Sequence, residues 1–514
     1  MNGAREIETK FGVHGLFVLP DLLDAEAGIV TVVPRPKLSL RATYVDTPSL
    51  RLARQCITLR HRTGEGAARW TLKLPTSPLT RPPKGGATLV RDEITVFADA
   101  GAVPTELQQL LVGVLRGDAV GPVAVLSTHR ATLELLDEDG RLLGEVVDDT
   151  VSLLEGRRVV SRFREIEIER GDAPASVEAS RAAGRRLLAA GAVAGEQLPK
   201  VVRALGPQAL QPSDLPEPPH VTPPSPASDL VLWSLRTGLA RLIGSDLGVR
   251  RVEDDAVHQM RVACRRLRSD LRTFAPLLDD PRIVRLREEL AWLAGSLGDA
   301  RDLEVLQGRV RRAATCDLLC PIEPTATDEI LRLLAEQESA ALAVAHEALL
   351  TERYVALLRL LVEVATEPGL TPAASTPCRE VLPALVGRPW RHLAKQCRKL
   401  TTKDPDDDWH RARILAKRAR YAAEVAAVAL GKNAKMTASA ATTVQELLGE
   451  HQDAAVAADR MLELAMASPR EPAFVIACAR LAERERGRLA AVRLEFPGRW
   501  AAAKRGRADR WLAG

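Results

Sequence analysis

The first ten residues hold the most suggestive chemistry in the chain. In Arg5-Glu6-Ile7-Glu8-Thr9-Lys10, the charges of Glu6, Glu8 and Lys10 recur at period two. In an extended chain successive side chains point to opposite faces, so these three share one face while Ile7 and Thr9 take the other. Two carboxylates and an ammonium on one face make poor core material. They suit a divalent metal held against a polyanion, because hard cations take oxygen ligands and phosphates take Lys and Arg. Taken alone, Glu-x-Glu-x-Lys also describes an edge strand with ordinary polar alternation, and the rest of the N-terminal third has to decide between the two.

The elements that follow carry more of the same. Residues 21–23 fit a short helix start and 104–115 look helical, but most of this region reads as strands. Arg60 and Arg62 share a face of one strand, Lys73 lies on the next, and Arg91 and Glu93 open another. Arg130 opens a strand that runs to a turn at 137–140, and the partner strand carries Glu145, Asp148 and Asp149. Strand parity favours Asp149 as the companion of Glu145, with Asp148 kept as the alternative. Glu165, Glu167 and Glu169 line one face of a last strand, opposite Ile166 and Ile168. Strands of a half-buried sheet normally turn apolar residues in and polar residues out. Here charges of both signs share one face and apolar residues the other. If the apolar faces pack outward against helices, the charged faces must converge on a wet interior. A closed barrel meets that demand, since interior and exterior positions alternate along every barrel strand. Such a tunnel would accept a linear polyphosphate and keep metals at one wall.

At 514 residues the chain is too long for one core and should hold at least two domains. The formal net charge of +5 is mild, so anion binding must come from local clusters. The seven cysteines, among them Cys316 and Cys320, form no zinc-spaced set and are expected to be reduced thiols. Glu6 and Glu8 stand where a signal peptide needs an apolar core, and no apolar run approaches the ~20 residues of a membrane span. A cytoplasmic protein with no membrane partner is expected. Pro and Gly mark one boundary: residues 207–227 read as a semi-extended, proline-rich linker between a mostly strand domain (1–206) and an all-helical one (228–512).

The ordered motifs Glu6-x-Glu8-x-Lys10, Tyr-x-Asp-Thr at 44–47, Leu-Arg-x-Arg at 59–62, Thr-Leu-Lys at 71–73, Arg-x-Glu at 91–93 and Glu-Ile-Glu-Ile-Glu at 165–169 resemble those of the CYTH family, the triphosphate tunnel metalloenzymes. The resemblance covers residues 1–206. It implies an α+β domain built on an eight-stranded antiparallel β tunnel with flanking helices. It further implies that Lys10, Arg60, Arg62, Lys73, Arg91, Arg130 and Lys200 grip a triphosphate, Lys200 competing with an ordinary surface-helix lysine. One or two Mg²⁺ or Mn²⁺ would be held by Glu6, Glu8 and Glu165, Glu167 and Glu169, with Glu93, Glu145 and Asp148 or Asp149 in support. Glu6, Glu8 and Lys10 are the implied catalytic set, and a second metal or a carboxylate would orient the attacking water. Thr128 departs from the pattern, standing where the family often has a second basic residue. Arg51, Arg54 and Arg62 are the candidates to take over that grip.

The helical half has its own signature. His258, Arg261, Arg265, Arg268 and Arg272 fall within one sector of a helix at ~100° per residue, opposite Ala263, Leu267 and Leu271. A charged stripe is most often just a solvated face. This one lacks Glu at i±4 and repels itself, which favours an anionic ligand. The spacing then recurs: His410, Arg413, Lys417, Arg418 and Arg420 stand 152 positions after His258, Arg261, Arg265, Arg266 and Arg268. Leu-Gly-Asp-Ala-Arg-Asp at 297–302 is echoed by Leu-Gly-Glu-His-Gln-Asp at 448–453. Two halves, each with a His-led basic helix, should face each other across a pseudo-twofold axis. The pattern resembles the CHAD family, which implies an all-α domain of two pseudo-symmetric four-helix bundles with a basic groove for inorganic polyphosphate. Arg391, Lys395 and Arg398 would add to that groove. The histidines would bond phosphate or lock Asp302 and Asp453 rather than bind metal. Nucleic acid is disfavoured, because an aromatic content of 3% leaves little for bases to stack on.

Together these features predict a metal-dependent hydrolase of inorganic triphosphate or short polyphosphate, tethered to long-chain polyphosphate and its granules by the helical domain. The alternatives are a non-catalytic polyphosphate-targeting protein, or a nucleotide or thiamine triphosphatase or class IV adenylate cyclase. A cyclase needs an adenine pocket, and the sequence offers no base-reading set.

Overall fold

Ten strands follow in the N-terminal unit: β1 (Asn2–Val13), β2 (Thr31–Pro34), β3 (Leu38–Asp46), β4 (Thr58–Thr63), β5 (Arg69–Pro75), β6 (Leu89–Phe97), β7 (Gly121–Leu136), β8 (Leu142–Glu155), β9 (Arg158–Arg170) and β10 (Val193–Ala194). The computed structural model describes residues 2–76, 88–315, 321–467, 471–505 and 510–513. Strand order β1-β6-β5-β4-β3-β7-β8-β9, with β9 pairing back onto β1, closes an eight-stranded antiparallel barrel. Two short strands lie off this ring, β2 on β7 and β10 on β1. β1 closes the ring by pairing with both neighbours in turn: Glu6 lies opposite Arg91 of β6, Lys10 opposite Glu167 of β9, and Glu8 is shared, opposite Leu89 and Glu169.

The alternation in the sequence sets what faces where. Outward residues Phe11, Leu135, Leu143, Val146, Ile166 and Ile168 pack on Ala179, Ala182, Ala183 and Leu187 of helix α4 (Ser176–Ala189). A Cβ at Gly184 would approach the Phe11 ring to 3.2 Å, so glycine there lets α4 lie close on β1. The region expected to start a helix at 21–23 instead forms a single 3₁₀ turn at Ala25–Ala27, capped by the Asp24 carboxylate. Asp46 does similar work after β3. Its carboxylate accepts from the backbone N–H groups of Thr47 (2.6 Å), Leu52 (3.0 Å) and Ala53 (2.9 Å), which fixes helix α1 (Arg51–Arg54). Helices α2 (Thr105–Leu110) and α3 (Val112–Leu115) occupy the expected 104–115 stretch. The bore is not charged along its whole length. Inward Ala42, Ala124, Leu126 and Val151 meet Leu198 and Val201 and Val202 of α5 (Lys200–Leu205), so an apolar plug closes one end.

The chain divides between Asp214 and Leu215, and every named element among the described residues of the second unit is a helix. Its helices are α6 (Ala227–Arg250), α7 (Ala256–Thr273), α8 (Arg282–Ser296), α9 (Gly298–Thr315), α10 (Pro324–Leu350), α11 (Glu352–Thr366), α12 (Cys378–Lys399), α13 (Asp406–Leu430), α14 (Lys432–Met466) and α15 (Pro472–Arg505). The 152-residue repeat is visible in these bounds: α6, α7 and α10 correspond to α12, α13 and α15, and the pair α8–α9 to the single long α14. α6, α7, α8 and α11 pack on one another, as do α12 to α15. The halves interlock where Leu306 and Val310 of α9 and Ile330 and Leu334 of α10 bury against Met461 of α14 and Phe474 and Leu481 of α15. Cys56, Cys264, Cys378, Cys397 and Cys478 are buried, while Cys316 and Cys320 lie outside the described residues. No helix among the described residues is long and apolar enough to cross a membrane.

Candidate functional site

Inward-facing positions of the barrel strands converge on a polar cavity of about 180 Å³. Its walls are Glu6, Glu8 and Lys10 of β1, Tyr44 of β3, Arg60 and Arg62 of β4, Lys73 of β5, Arg91 and Glu93 of β6, Arg130 of β7, Glu145 of β8, Glu167 and Glu169 of β9, and Lys200 of α5. Opposite charges interleave across it. Lys73 donates to both oxygens of Glu6 (2.5 and 2.6 Å) and pairs with Glu93 at 2.9 Å. Arg91 donates to Glu8 at 2.6 Å, and Arg60 to the Tyr44 hydroxyl at 3.1 Å. Arg130 grips Asp149 through two bonds of 2.9 and 2.7 Å. Lys10 and Lys200 both donate to Glu167, and Lys200 also reaches Asp149 at 3.1 Å.

These contacts set the charge states. Burial works against ionising Glu167, yet Lys10, Lys200 and Arg130 hold its carboxyl well below the usual range. Burial likewise opposes Glu93, but Lys73, Arg60 and Arg62 draw it down to about 2. Glu169 goes the other way. Burial pushes it up to about 7, with Glu6 and Glu167 adding to the shift and Arg130 and Lys73 only partly offsetting it. Glu6, Glu8 and Glu169 each present an oxygen, and these oxygens lie within 4.8 Å of one another. An all-oxygen, anionic set with one carboxyl short of positive charge suits Mg²⁺ or Mn²⁺. The residues fit such an ion, which would supply Lewis-acid neutralisation of phosphate charge.

The geometry divides the expected metal set. Glu6, Glu8 and Glu169 converge, and Glu145 lines the cavity nearby, its carboxyl raised by burial and by Glu134. Glu165, Glu167 and Asp149 are buried and committed to cations: Glu165 lies 3.3 Å from Lys200 and 3.0 Å from Arg203. Asp148 is a correction. It stands at the opposite parity to Asp149, faces away from the bore and takes two bonds from Arg164 (2.8 and 2.7 Å). Lys200 is no surface lysine, since α5 turns it into the cavity. Arg51 and Arg54 leave the site for Asp214 and Gln211, so of the three residues considered to offset Thr128 only Arg62 faces the cavity. Tyr44, quoted in the sequence only as part of a motif, also faces it; its even parity with Ala42 on β3 was the available signal.

The helical unit carries a second candidate site, a groove of about 850 Å³ where α7 faces α13, walled by α9 and α14. His258, Arg261, Arg265 and Arg266 line one side, and His410, Arg413, Lys417 and Arg420 the other. The repeat shows in paired contacts: Arg261 meets Asp302 at 3.0 Å and Arg413 meets Asp453 at 3.4 Å. The aspartates are thus held by arginines and not by the histidines; His410 bonds Gln452 at 2.6 Å. Among the described residues Lys417 makes no ion pair, and Asp453 is the carboxylate whose charge acts on it. Burial first, then Arg413 and Arg265, push its ammonium down to about 7. The Nε atoms of Arg261, Arg265 and Arg413 are buried without a partner. Six sequence candidates lie outside this groove. Arg268, Arg272 and Arg418 do not line it, and Arg391, Lys395 and Arg398 are exposed on α12. Helix rotation and packing, which the stripe alone could not fix, divide them. Conversely, Arg301 and Arg309 of α9 line the groove and lay within or just beyond the repeated Leu-Gly-Asp motif.

A closed barrel with a charged bore, followed by a duplicated helical unit with facing basic helices, defines the class. A CYTH domain model matches residues 4–184 and a CHAD domain model residues 234–462. Two proteins of Mycobacterium tuberculosis (strains H37Rv and CDC 1551), each described as an uncharacterized protein, are 32% identical over 485 residues, covering 90% of this chain and 89% of theirs. The solved structure of PptA from Streptomyces chartreusis is 24% identical, covers 54% of this chain and 100% of its own, and has a TM-score of 0.47. The chain belongs to the family of proteins that join a CYTH domain to a CHAD domain. CYTH domains are triphosphate tunnel enzymes that depend on Mg²⁺ or Mn²⁺, and the two domains fit triphosphate- and polyphosphate-related chemistry.

Proposed function

We propose that the protein is a metal-dependent hydrolase of inorganic triphosphate or short polyphosphate, with the tunnel in residues 1–206 doing the chemistry. The helical domain, residues 228–512, binds long-chain polyphosphate, in the cytoplasm and at polyphosphate granules. The observation that carries this reading is a bore in which Lys10, Arg60, Arg62, Lys73, Arg91, Arg130 and Lys200 surround a carboxylate triad. A linear polyphosphate resists attack because its oxygens repel nucleophiles. Fixed guanidinium and ammonium groups neutralise that charge, and they do so most strongly as it shifts in the transition state. Little covalent work remains for the protein. Phosphate entering the bore takes over Lys73 and Arg91, freeing the Glu6 and Glu8 carboxylates to hold a metal together with Glu169.

The test is orthophosphate release from tripolyphosphate, ATP and thiamine triphosphate, compared side by side with Mg²⁺ and with Mn²⁺. Preference for tripolyphosphate supports the reading. A preference for either organic substrate replaces it with a nucleotide or thiamine triphosphatase, and cyclic AMP as the product of ATP replaces it with a cyclase. No turnover of any of them leaves a binding protein.

A further inference from the structure

Among the places where the pseudo-twofold repeat breaks, one reverses the sign of a charge. Positions 266, 268 and 272 on α7 correspond, 152 residues further on, to 418, 420 and 424 on α13. On α13, Glu424 serves two arginines at once. It accepts from Arg420 of its own helix at 2.6 Å and pairs with Arg266 of α7 at 2.8 Å. The counterpart of Glu424 is Arg272. The arginines that repeat symmetry would bring to a carboxylate there, Arg268 and Arg418, therefore meet a third guanidinium.

The surroundings do not compensate. The charges acting most strongly on Arg272 are those of Arg418, Arg287 of α8 and Arg268. Among the described residues, none of these four arginines has an ion pair, whereas Arg266 and Arg420 in the mirrored place are both satisfied. The cluster lies outside the groove, because none of the four lines it.

We propose that Arg268, Arg272, Arg287 and Arg418 form a second anion site, which takes a phosphoryl group in the place that the Glu424 carboxylate fills in the other half. Guanidinium forks match phosphate oxygens two at a time, and orthophosphate, or successive units of a polyphosphate, carries more charge than the missing carboxylate to set against four arginines. The phosphoryl group has two sources. One is free orthophosphate. The other is a unit of a long polyphosphate leaving the groove along α7, where Arg261, Arg265, Arg268 and Arg272 extend over about 16 Å at 1.5 Å per residue. Only this second source rests on the groove being a polyphosphate site.

The experiment uses the full chain as wild type, R272E, R272Q and R261A/R413A, titrated calorimetrically with orthophosphate and with long-chain polyphosphate. R272E recreates the carboxylate of the other half, so in phosphate-free buffer it should melt above wild type. Both Arg272 variants are expected to bind one orthophosphate fewer per chain than wild type, while R261A/R413A retains that one. If orthophosphate stoichiometry is equal throughout but both Arg272 variants lose at least tenfold in affinity for long-chain polyphosphate, the source is the polymer. Arg272 variants that bind both probes as wild type does overturn the proposal. Unchanged polyphosphate affinity in R261A/R413A would overturn the groove reading instead, independently of Arg272.

Discussion

Lys417 offers the sharpest handle on the helical domain. Its ammonium sits in the groove with Arg413 and Arg265 as neighbours, and burial together with those charges pushes its pKa down to about 7 from an ordinary 10.5. A polyphosphate in the groove reverses the balance of charge around it, so the bound lysine should regain a pKa at or above its usual value. At pH 8 the free groove therefore has mostly neutral Lys417 and the occupied groove a charged one, and binding should take up close to one proton. Between about pH 7 and 10, affinity should fall by roughly tenfold per unit, or ~1.4 kcal/mol. The stability of the free protein moves in the opposite sense. The folded-state pKa lies below the unfolded one, so over pH 7 to 10.5 the unfolded chain holds more protons, and this group's contribution improves as pH rises. Calorimetric titration of long-chain polyphosphate at pH 8, in buffers of different ionisation enthalpy, measures the uptake directly. Lys417→Met should abolish the uptake and flatten the pH dependence. No proton uptake in wild type, or equal uptake in Lys417→Met, would refute the reasoning.

Further expectations concern single contacts. Glu169 has its pKa raised to about 7, chiefly by burial, so Mg²⁺ or Mn²⁺ affinity should climb as pH rises towards 7 and level off above it; Glu169→Gln should remove that climb in a metal titration. Arg309 is buried between Glu450 and Glu485, pairing with Glu450 at 3.0 Å, so Arg309→Ala leaves the buried Glu485 without its arginine while Glu450 keeps Arg488 at 3.0 Å. A loss of about 3–5 kcal/mol is expected in chemical denaturation, and a change below 1 kcal/mol would show the network to be unimportant. Leu187→Ala, at a fully buried position against the barrel wall, should cost about 2–5 kcal/mol.

Much of the barrel was legible because strand alternation is a local property. The parity of Glu6, Glu8 and Lys10, of Arg60 and Arg62, and of the 165–169 carboxylates is enough to put them on inner faces, and the same parity separates Asp149 from Asp148. What parity cannot give is depth along the bore. Glu165, Glu167 and Glu169 share a face, yet only Glu169 joins Glu6 and Glu8, because the pairing of Glu8 with Glu169 and of Lys10 with Glu167 sets the level of each. In the helical half the repeat was legible as spacing, but helix rotation was not. Arg268 and Arg272 follow Arg261 and Arg265 along the same stripe and still leave the groove. Two prolines, Pro383 and Pro389, lie inside α12 without ending it, against the usual reading of proline as a helix stop. The apolar plug escaped notice since Ala42, Ala124 and Leu126 look like ordinary wall residues until α5 is seen to fill the bore end.

The division of labour between the two sites is the central claim, and one paired measurement reaches it most directly. Tripolyphosphate hydrolysis and long-chain polyphosphate affinity should be assayed in parallel for Glu6→Ala with Glu8→Ala and for Arg261→Ala with Arg413→Ala. The account requires the glutamate pair to abolish hydrolysis while binding persists, and the arginine pair to weaken binding while hydrolysis of the short substrate persists. Either pair affecting both activities equally would contradict it.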